Sequence, residues 1–283
     1  MTAANQDQIA LWNGSGGASW AENADRLNRE LHRLGELAID ALEIVPGQAV
    51  LDVGCGPGFT SLELAARTGP QGRVVGVDVS ALLLELARAR AAASGAVNVS
   101  FQEADAQTET VAGVPFDAVF SRFGVMFFSD PEAAFTRLRG SCQPRGRLAF
   151  VCWQSQAENA ASMAWLDAIR ALPDLDLPPP PDREAPGPFA FGDAARVRRI
   201  LSRAGWQDIG IVEYRDRLDL TAADVADRIR SAQASGPAAR ALATASPDLQ
   251  AQARRLMQRS WDSLVVDGQV QVPRAAWLVT ARP

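Results

Sequence analysis

The chain has 283 residues, 47% of them hydrophobic, enough for one large α/β domain, or a domain with a subdomain, that needs no staples. Its net charge is −5 and its 28 basic residues are all arginine. Clustered positive charge for a nucleic-acid backbone is therefore missing, and so are Schiff-base chemistry and the lysine of a phosphate-binding P-loop. The cysteines Cys55, Cys142 and Cys152 fit no zinc or disulfide spacing, and MTAANQDQIALWNG has neither a basic nor an apolar leader pattern. No stretch approaches the roughly 20 apolar residues of a membrane span. The expectation is a cytoplasmic protein with reduced thiols.

Residues 1–20 are polar, with GSGGAS between Trp12 and Trp20, and read as an irregular arm with two aromatic anchors. From about Glu22 to Leu42 the spacing of Leu27, Leu31, Leu34, Ala38 and Ala41 predicts a helix, ended by Pro46-Gly47. QAVLDVG then reads as a buried strand. TSLELAARTG is a helix stopped at Gly69-Pro70, RVVGVDVS a second strand, and ALLLELARARAAASG a second helix with a glycine past its end. VSFQEAD and FDAVFSR are the third and fourth strands. In FSDPEAAFTRLRG, Ser129 and Glu132 have capping-box spacing and Pro131 suits the first helical position. GRLAFVCW is the fifth strand. This alternation predicts a parallel, doubly wound sheet.

Beyond Trp153 the rhythm breaks. Residues 156–172 read as helical and 173–189 as a proline-rich loop, a lid or a stiff link. AARVRRILSRAGW is amphipathic and precedes a strand-like IGIVEYRDRL. Two or three alanine-rich helices follow over 221–263, and QVQVPRAAWLVTAR closes the chain as a strand. The late helices read as an insertion before the last strand. The division is 1–45 (arm and helix covering the site), 46–154 (binding core) and 155–283, the last carrying the lid loop and the insertion at 221–267.

The chemistry concentrates in VLDVGCGPGFTS, residues 50–61. A glycine turn between a first strand and a helix lies at the carboxyl edge of an open sheet, where ligands bind. Counted from Gly54, the sixth position is Phe59, so the dinucleotide fingerprint fails, and the Walker pattern fails as well. Asp52 beside the turn would repel a pyrophosphate and attract ammonium and sulfonium charges. Asp78, at the end of the second strand, is placed to accept from ribose hydroxyls.

VLDVGCGPG, the acid in GVDVS, Asp105-Ala106 in QEADAQ, and FDAVFSRFGVMFFSDPEAAFTRLRGSCQPRGRLAFV together resemble a class I S-adenosylmethionine-dependent methyltransferase. The likeness is to the branch that includes the ubiquinone/menaquinone-biosynthesis methyltransferases. It covers 48–154, continues through PFAFGDAARVRRILSRAGWQDIGIVE, and touches LWNG and Trp20 in the arm; 221–267 matches nothing. The resemblance implies an α/β fold: a Rossmann-like, doubly wound, mostly parallel seven-stranded sheet whose last strand is antiparallel, with an N-terminal helical arm and a helical insertion. It implies S-adenosylmethionine as cofactor, S-adenosylhomocysteine as product, and no metal.

By position, Asp52, Gly54, Cys55 and Gly56 would line the methionine part, and Asp78 would bind the ribose with Val79 beside the adenine. Asp105 and Ala106 would meet the adenine edge, Ser121 would lie near the methionine end, and Trp20 would fold over the cofactor. Arg122, Met126 and Trp153 are the candidate acceptor-side residues, Arg122 as a carboxylate clamp or as a solvent-facing arginine. His32, the single histidine, is the candidate general base, against the alternative of a helix-surface histidine. The arm, the 156–190 segment and the 221–263 helices are expected to form the acceptor pocket. The partner is a small apolar or aromatic methyl acceptor, with no nucleic acid and no membrane; a homodimer is left open. The competing function is a non-catalytic sensor or scaffold that binds the cofactor or a metabolite.

Overall fold

The computed structural model describes residues 5–173, 175, 177, 179, 182–234 and 236–283. Two short helices, α1 (Gln6–Trp12) and α2 (Ser15–Glu22), precede α3 (Ala24–Ala41). The expected irregular arm is therefore helical over its described part, and residues 1–4 lie outside the described ones. GSGGAS, which reads as loop by composition, folds into α2 because glycines let the chain pack closely. A Cβ on the buried Gly17 would stand 3.1 Å from Ser80 Oγ. In α3 the predicted stripe is the buried face, with Leu31, Leu34, Ala38 and Ile39 turned inward.

The alternating part runs β1 (Ala49–Val53), α4 (Phe59–Thr68), β2 (Arg73–Asp78), α5 (Ala81–Ser94), β3 (Val99–Glu103), β4 (Phe116–Arg122), α6 (Pro131–Gly140) and β5 (Cys142–Trp153). All five residues of β1 are buried, the signature of a central parallel strand covered on both faces. Burial of Val50, Leu51 and Val53 contributes about 1.5–3 kcal/mol per side chain. α6 is capped by Asp130, whose carboxylate accepts from the Ala133 N–H at 3.0 Å, with Pro131 in its first turn. The expected Ser129–Glu132 box is thus displaced by one residue. Ser129 Oγ instead pairs with the Gln107 side chain.

After α7 (Ala160–Arg170) comes a proline-rich stretch in which 174, 176, 178, 180 and 181 lie outside the described residues. Then follow α8 (Ala194–Arg203), β6 (Gln207–Leu220), α9 (Ala222–Ala234), α10 (Gly236–Ala243), α11 (Pro247–Asp262), β7 (Val265–Val266) and β8 (Gln269–Arg282). The sheet order is β3-β2-β1-β4-β5-β8-β6, with β7 on β8. The five early strands are parallel and β8 is antiparallel to β5. β7 is an addition to the seven strands expected. Asp267 and Gly268 both have positive φ, 49° and 81°, the two-residue turn that joins a tight hairpin.

The chain divides into two compact units. The first comprises 1–154, 183–214 and 276–283, and the second 155–182 and 215–275. The first has a core of Val50, Leu51, Val74, Val119, Phe120, Phe135 and Phe150, joined by Leu34 of α3 and Ile200 of α8. The second has its own apolar cluster, which gathers Ile169 of α7, Val225 and Ile229 of α9, Met257 and Trp261 of α11, and Val272. Residues 183–214 and 276–283 thus fall with the first unit, while α7 and the late helices share the core of the second.

Candidate functional site

The strand order reverses at β1, which has β2 on one side and β4 on the other. The crevice at the carboxyl ends of these strands is where an open α/β sheet binds ligands. A cavity opens there, and every residue that lines it belongs to the first unit. Its floor is the turn between β1 and α4. Gly54 has φ 68°, and a Cβ on it would stand 2.8 Å from Gly124 Cα, so only glycine lets the two loops meet backbone to backbone. Gly56 has φ 51°, and a Cβ there would meet only Trp20 Nε1, at 3.8 Å.

Asp78 ties this turn to β2. One carboxylate oxygen accepts the Gly56 N–H at 2.8 Å and the other the Ser80 N–H at 2.9 Å. The Gly54 and Cys55 N–H groups both donate to the Val77 carbonyl. Asp78 lines the cavity, and burial raises its pKa against the pull of these backbone donors. Cys55 and Gly56 line it too, and burial pushes the Cys55 thiol well up, so that side chain is not a nucleophile.

Asp52 lies elsewhere. Its carboxylate is fully buried and is not part of the lining. Oδ2 accepts from the Thr60 and Ser61 hydroxyls, both at 2.7 Å, while Oδ1 has no partner among the described residues. Desolvation raises its pKa to about 6, opposed by the two hydroxyls and by Arg122. Asp52 therefore fastens the start of α4 to β1 and acts on the cavity as a charge behind the wall.

The wall beyond β2 and β3 is built by Val79, Asp105 and Ala106, with the arm laid over it. Asn13, just past α1, donates to the Val79 carbonyl at 2.7 Å and accepts the Ala81 N–H at 3.1 Å. Asp105 Oδ1 accepts from the Gln107 N–H at 3.0 Å and from Asn5 Nδ2 at 3.4 Å. Asn5 Oδ1 and Gln8 Oε1 are buried beside the cavity without a hydrogen-bond partner among the described residues. Trp20 lines the cavity edge-on to Trp12, which meets Phe127 in the same way.

The opposite wall follows β4 and β5. Arg122, Phe123, Met126 and Trp153 all line it. Phe123 and Trp153 stack at 4.4 Å between ring centres, and the Trp153 N–H points to Met126 Sδ at 3.4 Å. Ser121 does not line the cavity: its hydroxyl donates to the Val53 carbonyl at 2.8 Å and accepts the Gly124 N–H. It is a clamp between β1 and β4, not a wall. His32 is not in the lining either; its side chain is 53% exposed on α3, within 3.5 Å of Glu36 and 4.0 Å of Glu63. The reading of His32 as a base is corrected by this placement, since the face of α3 that carries it points to solvent.

The structure thus brings together Trp20, Gly54, Cys55, Gly56, Asp78, Val79, Asp105, Ala106, Arg122, Met126 and Trp153, and leaves Asp52, Ser121 and His32 outside the lining. Sequence reasoning missed Asn5 and Gln8, polar residues that precede the LWNG stretch of the arm. It also missed Phe123, whose φ of 63° is not written in any local pattern.

Comparison with known proteins agrees with this geometry. Residues 50–146 match the family described as "Methyltransferase domain". The chain is 36% identical over 180 residues to an uncharacterized protein of Mycobacterium tuberculosis, covering 63% of this chain and 64% of that one. It is 35% identical over 127 residues to the aklanonic acid methyltransferase DauC of Streptomyces sp. (strain C5), covering 44% of this chain and 58% of that one. The matched regions thus span less than two thirds of these relatives' own lengths. The fold resembles that of the Haemonchus contortus phosphoethanolamine N-methyltransferase 2 in complex with S-adenosyl-L-methionine. The TM-score is 0.59 at 14% identity, over 100% of this chain and 60% of that one. The matched segment runs from β1 into β5 and includes the turn that builds the cavity floor, and the mostly parallel sheet with its antiparallel β8 agrees with the one the resemblance implied. Residues 50–146 thus carry a methyltransferase domain, set on a Rossmann-like α/β sheet.

Proposed function

We propose that the protein moves a methyl group from S-adenosylmethionine to an O, N or C atom of a small apolar or aromatic acceptor. The observation that carries this reading is the polarity of the adenosine side of the cavity. It offers open acceptors: the carboxylates of Asp78 and Asp105 and the unpartnered oxygens of Asn5 and Gln8. Adenosine offers an amine and two ribose hydroxyls as donors, so this set fits it, and the acids oppose a diphosphate. The space beside Gly56, which a Cβ would enter, fits the close approach of a ligand to the turn.

In this reading Asp78 holds the ribose hydroxyls and Val79 flanks the adenine. Asp105, Asn5 and Gln8 accept from the adenine amine. Gly54, Cys55, Gly56 and Trp20 line the methionine part, and Asp52 contributes negative charge from behind. When bound, the cofactor supplies a methyl carbon on a cationic sulfur, an electrophile with a good leaving group. The chain's remaining task is to align the acceptor and exclude water, and Phe123, Met126, Phe127 and Trp153 are the side chains that do both. No imidazole lines the cavity among the described residues, which suits an acceptor that presents a lone pair without help from a base.

The test is transfer of a labelled methyl group from S-adenosylmethionine to a panel of flat aromatic phenols, acids and amines, followed by mass spectrometry. Transfer by the wild type that is lost in Asp78→Ala supports the proposal. Tight binding of S-adenosylhomocysteine with no transfer to any acceptor would move the protein to the class of metabolite-binding sensors.

A further inference from the structure

Among the described residues, Arg122 is the one cationic side chain that lines the cavity. It ends β4, and its stem lies against α3 where Gly35 leaves room: a Cβ there would stand 2.9 Å from Arg122 Cδ. The hydrogen-bond partner of its guanidinium is neutral, with Nη1 donating to Asn28 Oδ1 at 3.0 Å. Among the described residues no carboxylate forms an ion pair with it. Asp52 and Glu63 act on it through space, and burial lowers its pKa. A guanidinium carries five N–H donors in a planar fork that matches a carboxylate, and most of this fork is unused. Arg122 is half-buried and its unbonded N–H groups are not among the buried unpartnered atoms, so they face the cavity, where a ligand can reach them.

The next residue adds a second observation. Phe123 has φ 63°, in the left-handed region that aromatic residues rarely enter, and it is buried. Such strain persists only where the surroundings hold it, and it gathers at ligand-binding positions. Here it sets the Phe123 ring on Trp153, with 20° between their planes, so a flat apolar wall stands next to the fork.

We propose that Arg122 is the cavity's receptor for a carboxylate. The pairing is bidentate and charge-assisted, through the N–H groups that Asn28 leaves free. The site is unassigned as to which molecule brings the carboxylate. Under the methyl-transfer reading, on which this identification rests, two carriers share that chemistry: the amino-acid end of the methyl donor, and a flat acceptor bearing an acid group.

The test compares wild type, Arg122→Gln and Gly35→Ala by calorimetry. Gly35→Ala keeps the charge and is favourable in a helix, but it pushes the guanidinium out of place, so it answers if Arg122→Gln fails to fold. Each protein is titrated with S-adenosylhomocysteine and with 5′-methylthioadenosine, which lacks the amino-acid carboxylate. Each is also titrated with 2-naphthoate and its neutral amide, with and without saturating S-adenosylhomocysteine. The expected result is a loss of about tenfold to a hundredfold for a carboxylate ligand in both variants, with less than about a twofold change for its neutral counterpart. A loss confined to S-adenosylhomocysteine assigns the carboxylate to the donor; a loss confined to 2-naphthoate assigns it to the acceptor. The proposal is overturned if neither variant weakens S-adenosylhomocysteine and the wild type prefers 2-naphthoate to its amide no more than the variants do. Failure of the wild type to bind either adenosine ligand is a different result: it sinks the methyl-transfer reading, and the naphthoate pair alone then decides the role of Arg122.

Discussion

The carboxylate of Asp78 and the backbone N–H of Gly56 stand 2.8 Å apart, a bond that joins the end of β2 to the glycine turn after β1. The same carboxylate takes the Ser80 N–H that opens α5. One acid is thus both a wall of the cavity and a strut of its floor. Asp78→Ala leaves two backbone donors without their charged acceptor, and the expected loss of stability is about 2–4 kcal/mol. Asp78→Asn keeps an acceptor oxygen and loses less stability, while both variants weaken S-adenosylhomocysteine by at least about tenfold. Urea denaturation and calorimetry on the pair separate the strut from the wall. Affinity unchanged in both variants would remove Asp78 from the ligand site.

Gly54 and Gly56 look alike in sequence but differ in surroundings. Alanine at Gly54 combines a left-handed φ with a Cβ 2.8 Å from the Gly124 backbone, so the expected cost is about 2–5 kcal/mol. Alanine at Gly56 carries only the conformational cost, about 1–2 kcal/mol, because its Cβ meets open space and Trp20 Nε1 at 3.8 Å. That Cβ lies on the cavity side, so Gly56→Ala is expected to lose more ligand affinity per unit of stability lost. Thermal unfolding with and without S-adenosylhomocysteine reads both quantities.

Asp52 makes stability depend on pH in a direction opposite to that of an ordinary paired carboxylate. Its folded pKa, about 6, lies above the unfolded value of 3.8, because burial outweighs the two hydroxyls that bond it. Between these values the folded chain holds the extra proton. Its contribution is therefore complete below about pH 4 and is lost as pH rises through about 6, by about 3 kcal/mol. Asp52→Asn removes this slope. The stability of Asp52→Asn relative to wild type should improve by about that amount between pH 4 and pH 7.5 in urea titrations. Subtracting the two proteins removes the part of the Asp78 slope that does not depend on Asp52, which acts with the same sign. A constant difference across this range would show that Asp52 binds its proton equally in the folded and unfolded chains, so that burial does not raise its pKa.

The sheet was legible because the strands and helices of the alternating half keep their own periods, and β1, α4 and α5 are followed directly by Gly54, Gly69 and Gly95. The turn was legible because Gly54, Gly56 and the acids at 52 and 78 follow one another at fixed spacing along the chain. The pattern did not say which acid faces the ligand. Asp52 and Asp78 both sit at the ends of buried strands, and Asp52 is turned inward by the Thr60 and Ser61 hydroxyls eight and nine residues later. The direction of the Ser121 hydroxyl was hidden for the same reason: it answers to Val53, on a strand 68 residues away. The exposure of His32 is legible, since Arg29, Glu30, Arg33 and Glu36 surround it on α3, and of the two readings the helix-surface one is the placement found. The arm was opaque because its order comes from other elements. α1 buries no residue of its own, and Asn13 is held by Val79 and Ala81.

This last relation sets a prediction for the arm. Asn13 bonds Val79 and Ala81 at an exposed position, so Asn13→Ala should cost under about 1 kcal/mol of global stability. It should nevertheless release α1, because Asn13 joins it to the ends of β2 and α5 where no apolar core residue does. Faster hydrogen exchange is expected over residues 5–22, with exchange in the sheet unchanged. Deleting residues 1–20 goes further, since it removes Gln8, Trp12 and Trp20 from the lining together with Asn5 and its bond to Asp105. Ligand binding must then order nothing in the arm but also loses its cover, and S-adenosylhomocysteine affinity should fall by more in the deletion than in Asn13→Ala. Equal affinity in the wild type and the deletion would mean that the arm packs beside the site without taking part in it.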